Sequence, residues 1–253
     1  MKSLRLAGMD VARIGLGTNR LTRSSENIAF IKAAVASGVQ MIDTAHLYSG
    51  GQSEETIGAA LSPIPEDCIV ATKGGFGGSR PDVLRAEIED SFRRLKTDTL
   101  TMYYLHRVDP QTPLEVSLEV IKEWRDRGRI RHVGVSNVDV GQIERARKVL
   151  PVVAVQNQYS LAERKYEEVV DYCSREGIVF VPFYPLRGVA GGVLSDVARR
   201  HDATRQQIAL AWLLHRSPVV LPIPGTLSLA HLKENLAALN IELTDAEFAS
   251  LGS

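Results

Sequence analysis

Residues 68–106, CIVATKGGFGGSRPDVLRAEIEDSFRRLKTDTLTMYYLH, hold the unit whose reading decides the fold. Cys68 to Thr72 is a short apolar run with a β-branched centre, as expected of a strand buried on both faces. A glycine-rich turn, Gly74 to Ser79, follows it. Pro81 then stands where a first helical turn accepts a residue without an N–H, and Leu84, Ile88 and Leu95 recur at helical spacing. Thr101 to Leu105 is a second apolar run. Strand, helix and strand in this order read as a parallel crossover unit.

The same alternation extends to both ends of the chain. Further strand candidates are Ile14 to Gly17, Val39 to Asp43, His132 to Ser136, Val152 to Gln156, Ile178 to Phe183 and Val219 to Ile223. Helices are expected from Ser24 or Ser25 to Gly38, from Ser53 through Leu61, and from Pro113 through Trp124. Others follow Asp139, Arg164, Thr204 and Ser228. Eight strands alternating with helices fit a single-domain (β/α)8 TIM barrel over residues 1–253. An open doubly wound sheet is the competing architecture, because strand order is not written in the sequence. Leu4 to Val11, broken by Gly8, reads as a β-hairpin across the barrel floor.

Composition narrows the function. Lys+Arg and Asp+Glu both number 30, so there is no excess positive charge for a nucleic-acid or anionic-membrane partner. The N-terminus lacks the apolar stretch of a signal peptide, and no apolar run approaches bilayer length. Cys68 and Cys173 lie in apolar segments and read as small buried hydrophobes. A cytoplasmic protein is expected. The six histidines show no metal-ligand spacing, so no metal is expected. Arg125, Arg127, Arg129 and Arg131 read as a solvated run at a helix C-terminus, away from the site. Nothing in the sequence bears on oligomeric state.

A parallel barrel places chemistry at the carboxyl ends of its strands. Three strands end in ionisable residues: Ile42-Asp43, Thr72-Lys73 and Leu105-His106, and the turn after Asp43 supplies Tyr48. Taken singly, each has a structural reading as a capped turn, a solvated amine or a hydrogen-bonded core histidine. Together they bring a carboxylate, an ammonium, an imidazole and a phenol to one rim. That group suits proton transfer to a carbonyl oxygen. Tyr48 would be the acid, with Lys73 lowering its pKa, Asp43 holding Lys73 and His106 orienting the oxygen.

These residues also carry a resemblance. Met41-Ile42-Asp43-Thr44-Ala45-His46-Leu47-Tyr48 resembles the strand-two motif of the aldo-keto reductases, in their bacterial oxidoreductase-like branch. Ala71-Thr72-Lys73-Gly74, Tyr104-Leu105-His106-Arg107, His132 to Asn137 and Val155 to Tyr159 are also similar to that family. The resemblance implies an NAD(P)H-dependent oxidoreductase that reduces small aldehydes or ketones to alcohols. It implies catalytic roles for Asp43, Tyr48, Lys73 and His106. It also implies carboxamide contacts from Ser136, Asn137 and Gln156, and an aromatic face from Phe183 against the nicotinamide. Further cofactor contacts would come from Gly17, Thr18, Asn19, Tyr184 and Leu186. An adenosine-phosphate loop would use Thr226, Ser228, His231, Glu234 and Asn235.

Two departures from the family pattern matter. Gly225 and His231 stand where better-known members carry a lysine and an arginine. NADPH is therefore expected with moderate preference, and NADH use remains open. The turns after Lys73 and after Leu186 are short, and the chain runs only to Gly252-Ser253 past its last helix. An open, weakly selective pocket is the expectation. Two other functions fit some of the residues: an NADPH-binding regulatory subunit with slow turnover, and a lyase using Lys73 as a Schiff base.

Overall fold

The computed structural model describes residues 2–252. Ser3–Leu6 (β1) and Met9–Ala12 (β2) pair antiparallel, with Ser3 opposite Ala12 and Leu6 opposite Met9. Ala7 and Gly8 turn the chain with φ of 52° and 81°, the left-handed pair that suits a two-residue hairpin.

Seven parallel strands follow: Leu16–Gly17 (β3), Met41–Asp43 (β4), Ile69–Gly74 (β5), Leu100–Leu105 (β6), Ile130–Ser136 (β7), Val152–Gln156 (β8) and Val179–Phe180 (β9). They lie side by side in chain order, which excludes the doubly wound alternative. The eighth expected strand, Val219 to Ile223, is not a regular strand, yet residues 219–225 close the ring. On one side Leu221 N donates to Phe180 O at 2.9 Å and Ile223 N to Pro182 O at 3.3 Å. On the other side Gly15 N donates to Pro222 O at 3.0 Å and Gly17 N to Pro224 O at 3.2 Å. Pro222 and Pro224 have no N–H to return, so this seam is thinner than an ordinary ladder and keeps one parallel bridge, Gly17 to Gly225. The result is a closed (β/α)8 barrel.

The helices are Ser25–Ala36 (α1), Gln52–Leu61 (α2), Pro81–Leu95 (α3), Leu114–Asp126 (α4), Val140–Val149 (α5), Glu167–Glu176 (α6), Gly192–Arg200 (α7), Arg205–Arg216 (α8), Leu229–Ala237 (α9) and Asp245–Gly252 (α10). Ser24 caps α1, and Asp139 and Thr204 cap α5 and α8 with full capping boxes through Gln142 and Gln207. Helix α2 begins one residue before the expected Ser53 and is entered from Gly51, at φ 93°; Ser53 itself is buried. Helix α7 falls outside the expected set. None of the helices among the described residues is long and apolar enough to cross a membrane.

Alternation along the strands sorts the core into two layers. Met41, Ile69, Ala71, Met102, Tyr104, Ala154, Val179, Val181, Leu221 and Ile223 fill the barrel, and Leu6 and Val11 of the hairpin close its floor. Ile42, Val70, Tyr103, Leu105, Val133 and Val155 point outward to helix residues such as Ile57, Ile88, Ile121 and Ile143. Each such side chain contributes roughly 1.5–3 kcal/mol on burial. Tyr104 fits inside because β7 offers Gly134 opposite it; a Cβ there would collide with the Tyr104 ring.

Candidate active site

The next inward positions above the apolar layer follow from the same parity. They are Asp43 above Met41, Lys73 above Ala71, His106 above Tyr104, Ser136 above Gly134, Gln156 above Ala154 and Phe183 above Val181. The fold therefore gathers polar residues on one rim without any long-range coincidence. Asp43, Tyr48 and His106 line a cleft of about 1060 Å³ at this end. Gly17, Thr18, Asn19, Ser136, Asn137, Gln156, Phe183, Tyr184 and Leu186 line it too. Lys73 lies beneath Tyr48 and is fully buried.

The charged centre is tightly bonded. Lys73 Nζ donates to Asp43 Oδ1 at 2.7 Å, to Thr44 O at 2.7 Å and to Tyr48 Oη at 3.3 Å. Gln156 Nε2 donates to Asp43 Oδ2 at 2.7 Å. Thr18 holds the backbone of the same residue, its N and Oγ1 donating to Asp43 O at 3.0 Å and 2.7 Å. Ser53 Oγ lies 2.8 Å from Thr18 Oγ1 and 2.7 Å from Thr44 Oγ1, so it ties two strand ends together. Thr18, expected at the cofactor, thus also positions Asp43.

Tyr48 opens a short 3-10 turn, Tyr48–Gly51, in which Ser49, Gly50 and Gly51 all have positive φ. Arg94 of α3 pins this loop from behind, donating to His46 O at 2.9 Å and lying 3.4 Å from the buried Glu54. Gly51 has no side chain because the Arg94 guanidinium occupies that space. Glu54 in turn accepts from Thr72 Oγ1 at 2.6 Å. The tyrosine is therefore delivered by a loop fastened to both α2 and α3.

Burial pushes the Tyr48 phenol above its ordinary value, and the Lys73 charge only partly opposes this. The expected lowering of the Tyr48 pKa is corrected accordingly: the phenol enters any reaction carrying its proton. Burial alone would lower Lys73, but Asp43 and Tyr48 together raise it, so the ammonium is held charged. Burial pushes the Asp43 carboxyl up, while Lys73 and Gln156 pull against it and keep the pair ionic. His106 is pushed down to about 2 by burial and then by the charges of Lys73 and Arg107, so it is a neutral imidazole. Its ring meets Tyr48 edge-on at 6.0 Å and Phe76 at 4.9 Å between centroids.

Asn137, at φ 57°, donates through Nδ2 to His106 O at 3.0 Å and to Ser136 Oγ at 3.1 Å; Ser136 Oγ donates to Gln156 O at 2.6 Å. That network fixes the Asn137 amide at the cleft wall, while the Gln156 amide is held there by Asp43. The adenosine-loop residues are placed differently. Thr226, Ser228, His231, Glu234 and Asn235 are absent from the cleft lining. Ser228 caps α9 by accepting from His231 N, Thr226 Oγ1 accepts from Ser228 N at 3.0 Å, and Glu234 Oε1 accepts from Thr204 Oγ1 at 2.6 Å.

The sequence reading missed several contributors. Thr44 offers a backbone oxygen to Lys73, which no side-chain pattern reveals. Leu47 and Phe76 form an apolar wall of the cleft, 40% and 41% exposed. The signal for Phe76 was available: a lone aromatic inside Gly74-Gly75-Phe76-Gly77-Gly78 has no neighbours to bury it. Arg20 and Arg187 also line the cleft.

Known proteins resemble this chain over nearly its whole length. The family model described as the aldo/keto reductase family matches residues 13–196 and 189–253. A pyridoxine 4-dehydrogenase of Escherichia coli is 37% identical over 242 residues, spanning 88% of this chain and 85% of its own. A thermostable aldo-keto reductase crystallised with the inhibitor epalrestat superimposes with a TM-score of 0.93 at 33% identity, covering 100% of this chain and 99% of that one. An aldo/keto reductase of Klebsiella pneumoniae in complex with NADP and acetate gives 0.88 at 29% identity, with 99% and 94% covered.

Proposed function

The chain belongs to the aldo/keto reductase family and is an NADP-dependent oxidoreductase acting on carbonyls; on that premise we propose that Tyr48, Lys73, Asp43 and His106 carry the reaction, and that small aldehydes or ketones are its substrates. The observation that carries the proposal is the Tyr48 hydroxyl at the cleft rim, 3.3 Å from the buried Lys73 Nζ, with the Tyr48 ring edge-on to that of His106.

The residues at the rim fit a nicotinamide cofactor. Asn137 and Gln156 both present amide groups to the cleft, suited to a carboxamide; Phe183 offers a flat aromatic face; Gly17 and Gly225 let the first and last segments approach closely at the cleft wall. When bound, the cofactor supplies a hydride. The protein's part is proton delivery and orientation. Tyr48 donates its proton to the carbonyl oxygen, and Lys73 stabilises the phenolate that this leaves. Asp43 keeps the ammonium in place. Neutral His106 orients the carbonyl oxygen by hydrogen bonding. Leu47 and Phe76 shield the reacting end from water. Thr226, Ser228 and the N-terminus of α9 would receive the adenosine phosphate, with His231, Glu234 and Asn235 beside it. The buried, unpaired Cys68 and Cys173 suit a reducing compartment, and we place the protein in the cytoplasm.

A Schiff-base role for Lys73 is disfavoured, since three acceptors hold it as an ammonium. The test is Tyr48→Phe. Loss of NADPH absorbance with a small aldehyde should slow by roughly 10²- to 10⁴-fold, while NADPH still binds, as read by cofactor fluorescence. Undiminished turnover in this variant would remove Tyr48 from the mechanism.

A further inference from the structure

Three planar groups stand in series at the end of β6. The His106 imidazole meets the Phe76 ring at 4.9 Å, and the Arg107 guanidinium lies over that same ring at 4.4 Å. Arg107 is exposed and forms no ion pair among the described residues. Asp109 feels its field, but that carboxylate is already committed to Ser79 N, Gln111 N and Thr112 Oγ1. Stacking on an aromatic face leaves the in-plane N–H groups of a guanidinium free, and it fixes their direction. The platform is Phe76, which lines the cleft together with Leu47.

The cations that line the cleft, Arg20 and Arg187, follow β3 and β9, on the side away from His106, whereas Arg107 stands beside the lining, over the ring of Phe76. A substrate whose carbonyl oxygen sits between Tyr48 and His106 and whose body extends over Phe76 would meet the Arg107 guanidinium at the far edge of that ring. We propose that Arg107 is a substrate-anion anchor, and that this enzyme prefers aldehydes or ketones carrying a carboxylate separated from the carbonyl by a flat or apolar spacer. This rests on the carbonyl-reductase reading above and names the substrate class for the same site. A guanidinium suits a carboxylate because the two can pair through parallel hydrogen bonds.

The test uses the full chain with NADPH and two aldehydes that differ only in the acid, benzaldehyde and 4-carboxybenzaldehyde. One charge-assisted contact predicts a kcat/KM ratio favouring the acid by about 10- to 100-fold. The preference should lie mainly in KM, because the contact is remote from the reacting atoms, and it should shrink as salt is added. Arg107→Met should bring the ratio towards unity, and Arg107→Lys should keep part of it. A wild-type ratio at or below unity, or one that Arg107→Met leaves intact, overturns the anchor while the turnover itself upholds the reductase reading.

A binding measurement covers the opposite failure. Calorimetric titration of the protein with 4-(hydroxymethyl)benzoate and with benzyl alcohol, each in the presence of NADP, needs no turnover. Tighter binding of the acid that Arg107→Met abolishes supports the anchor even if neither aldehyde is reduced. Equal binding, or an acid preference that survives Arg107→Met, refutes it.

Discussion

Lys73→Met removes an ammonium from a site where its partner cannot reach water. Asp43 is 2% exposed and would keep a single side-chain donor, Gln156 Nε2 at 2.7 Å. Breaking a buried pair by deleting one member costs about 3–5 kcal/mol, because an uncompensated charge is left behind. Asp43→Asn strands the ammonium in the same way, although Thr44 O still accepts from it. The double variant strands neither charge, so it should be destabilised by clearly less than the two single losses combined. The pH dependence sharpens the test. Burial already pushes Asp43 upward, and Lys73→Met deletes the charge that opposes this. Its folded-state value then lies above the unfolded one, and the native state binds more protons. The stability contributed by the protonated form is full below the unfolded value of about 3.9 and is lost as pH rises through the folded one. Urea unfolding of Lys73→Met at about pH 5 and about pH 8 should therefore show the lower stability at the higher pH. Wild-type stability in Lys73→Met, or a single-variant loss that does not fall away in the double variant, would refute the reasoning.

Three further outcomes follow from the geometry. The rate of reduction against pH should show no inflection near the ordinary histidine value, since His106 titrates at about 2; it should decline only in the alkaline range, above the usual phenol value, because Tyr48 is raised. Gly134→Ala forces a methyl group against the Tyr104 ring and should cost about 1–3 kcal/mol in thermal or urea unfolding, with the far-UV spectrum retained. Fluorescence titration should favour NADPH over NADH by less than about 100-fold, as expected for hydroxyl and helix-end contacts without a fixed cation, and Thr226→Val should narrow the gap.

Much of this was legible in the sequence, for a physical reason. Buried parallel strands advertise themselves as apolar runs, and the inward parity that fills the barrel with Met41, Ala71 and Tyr104 also aims Asp43, Lys73 and His106 at the rim. The hairpin was legible from Gly8 between two short apolar pieces. What stayed hidden depends on tertiary contacts. Ser53 reads as the start of a helix, and no spacing reveals that its hydroxyl bridges Thr18 and Thr44. The direction of the Tyr48 shift turns on how far burial outweighs Lys73, which spacing cannot express. Val219 to Ile223 reads as a strand by composition, yet two prolines thin its hydrogen bonding to isolated bridges.

Those prolines give the ring a direction of weakness. The other junctions between neighbouring strands are ladders or paired bridges, but the joint between the first and last segments rests on the amides of Gly15 and Gly17 and one parallel bridge at Gly225. Gly17 and Gly225, which flank this joint, also line the cleft. A molecule lying across them would act as a clasp on a hoop, so occupancy of the cleft and integrity of the barrel become one equilibrium. Deuterium uptake at Gly15 and Gly17 is where that coupling would register first.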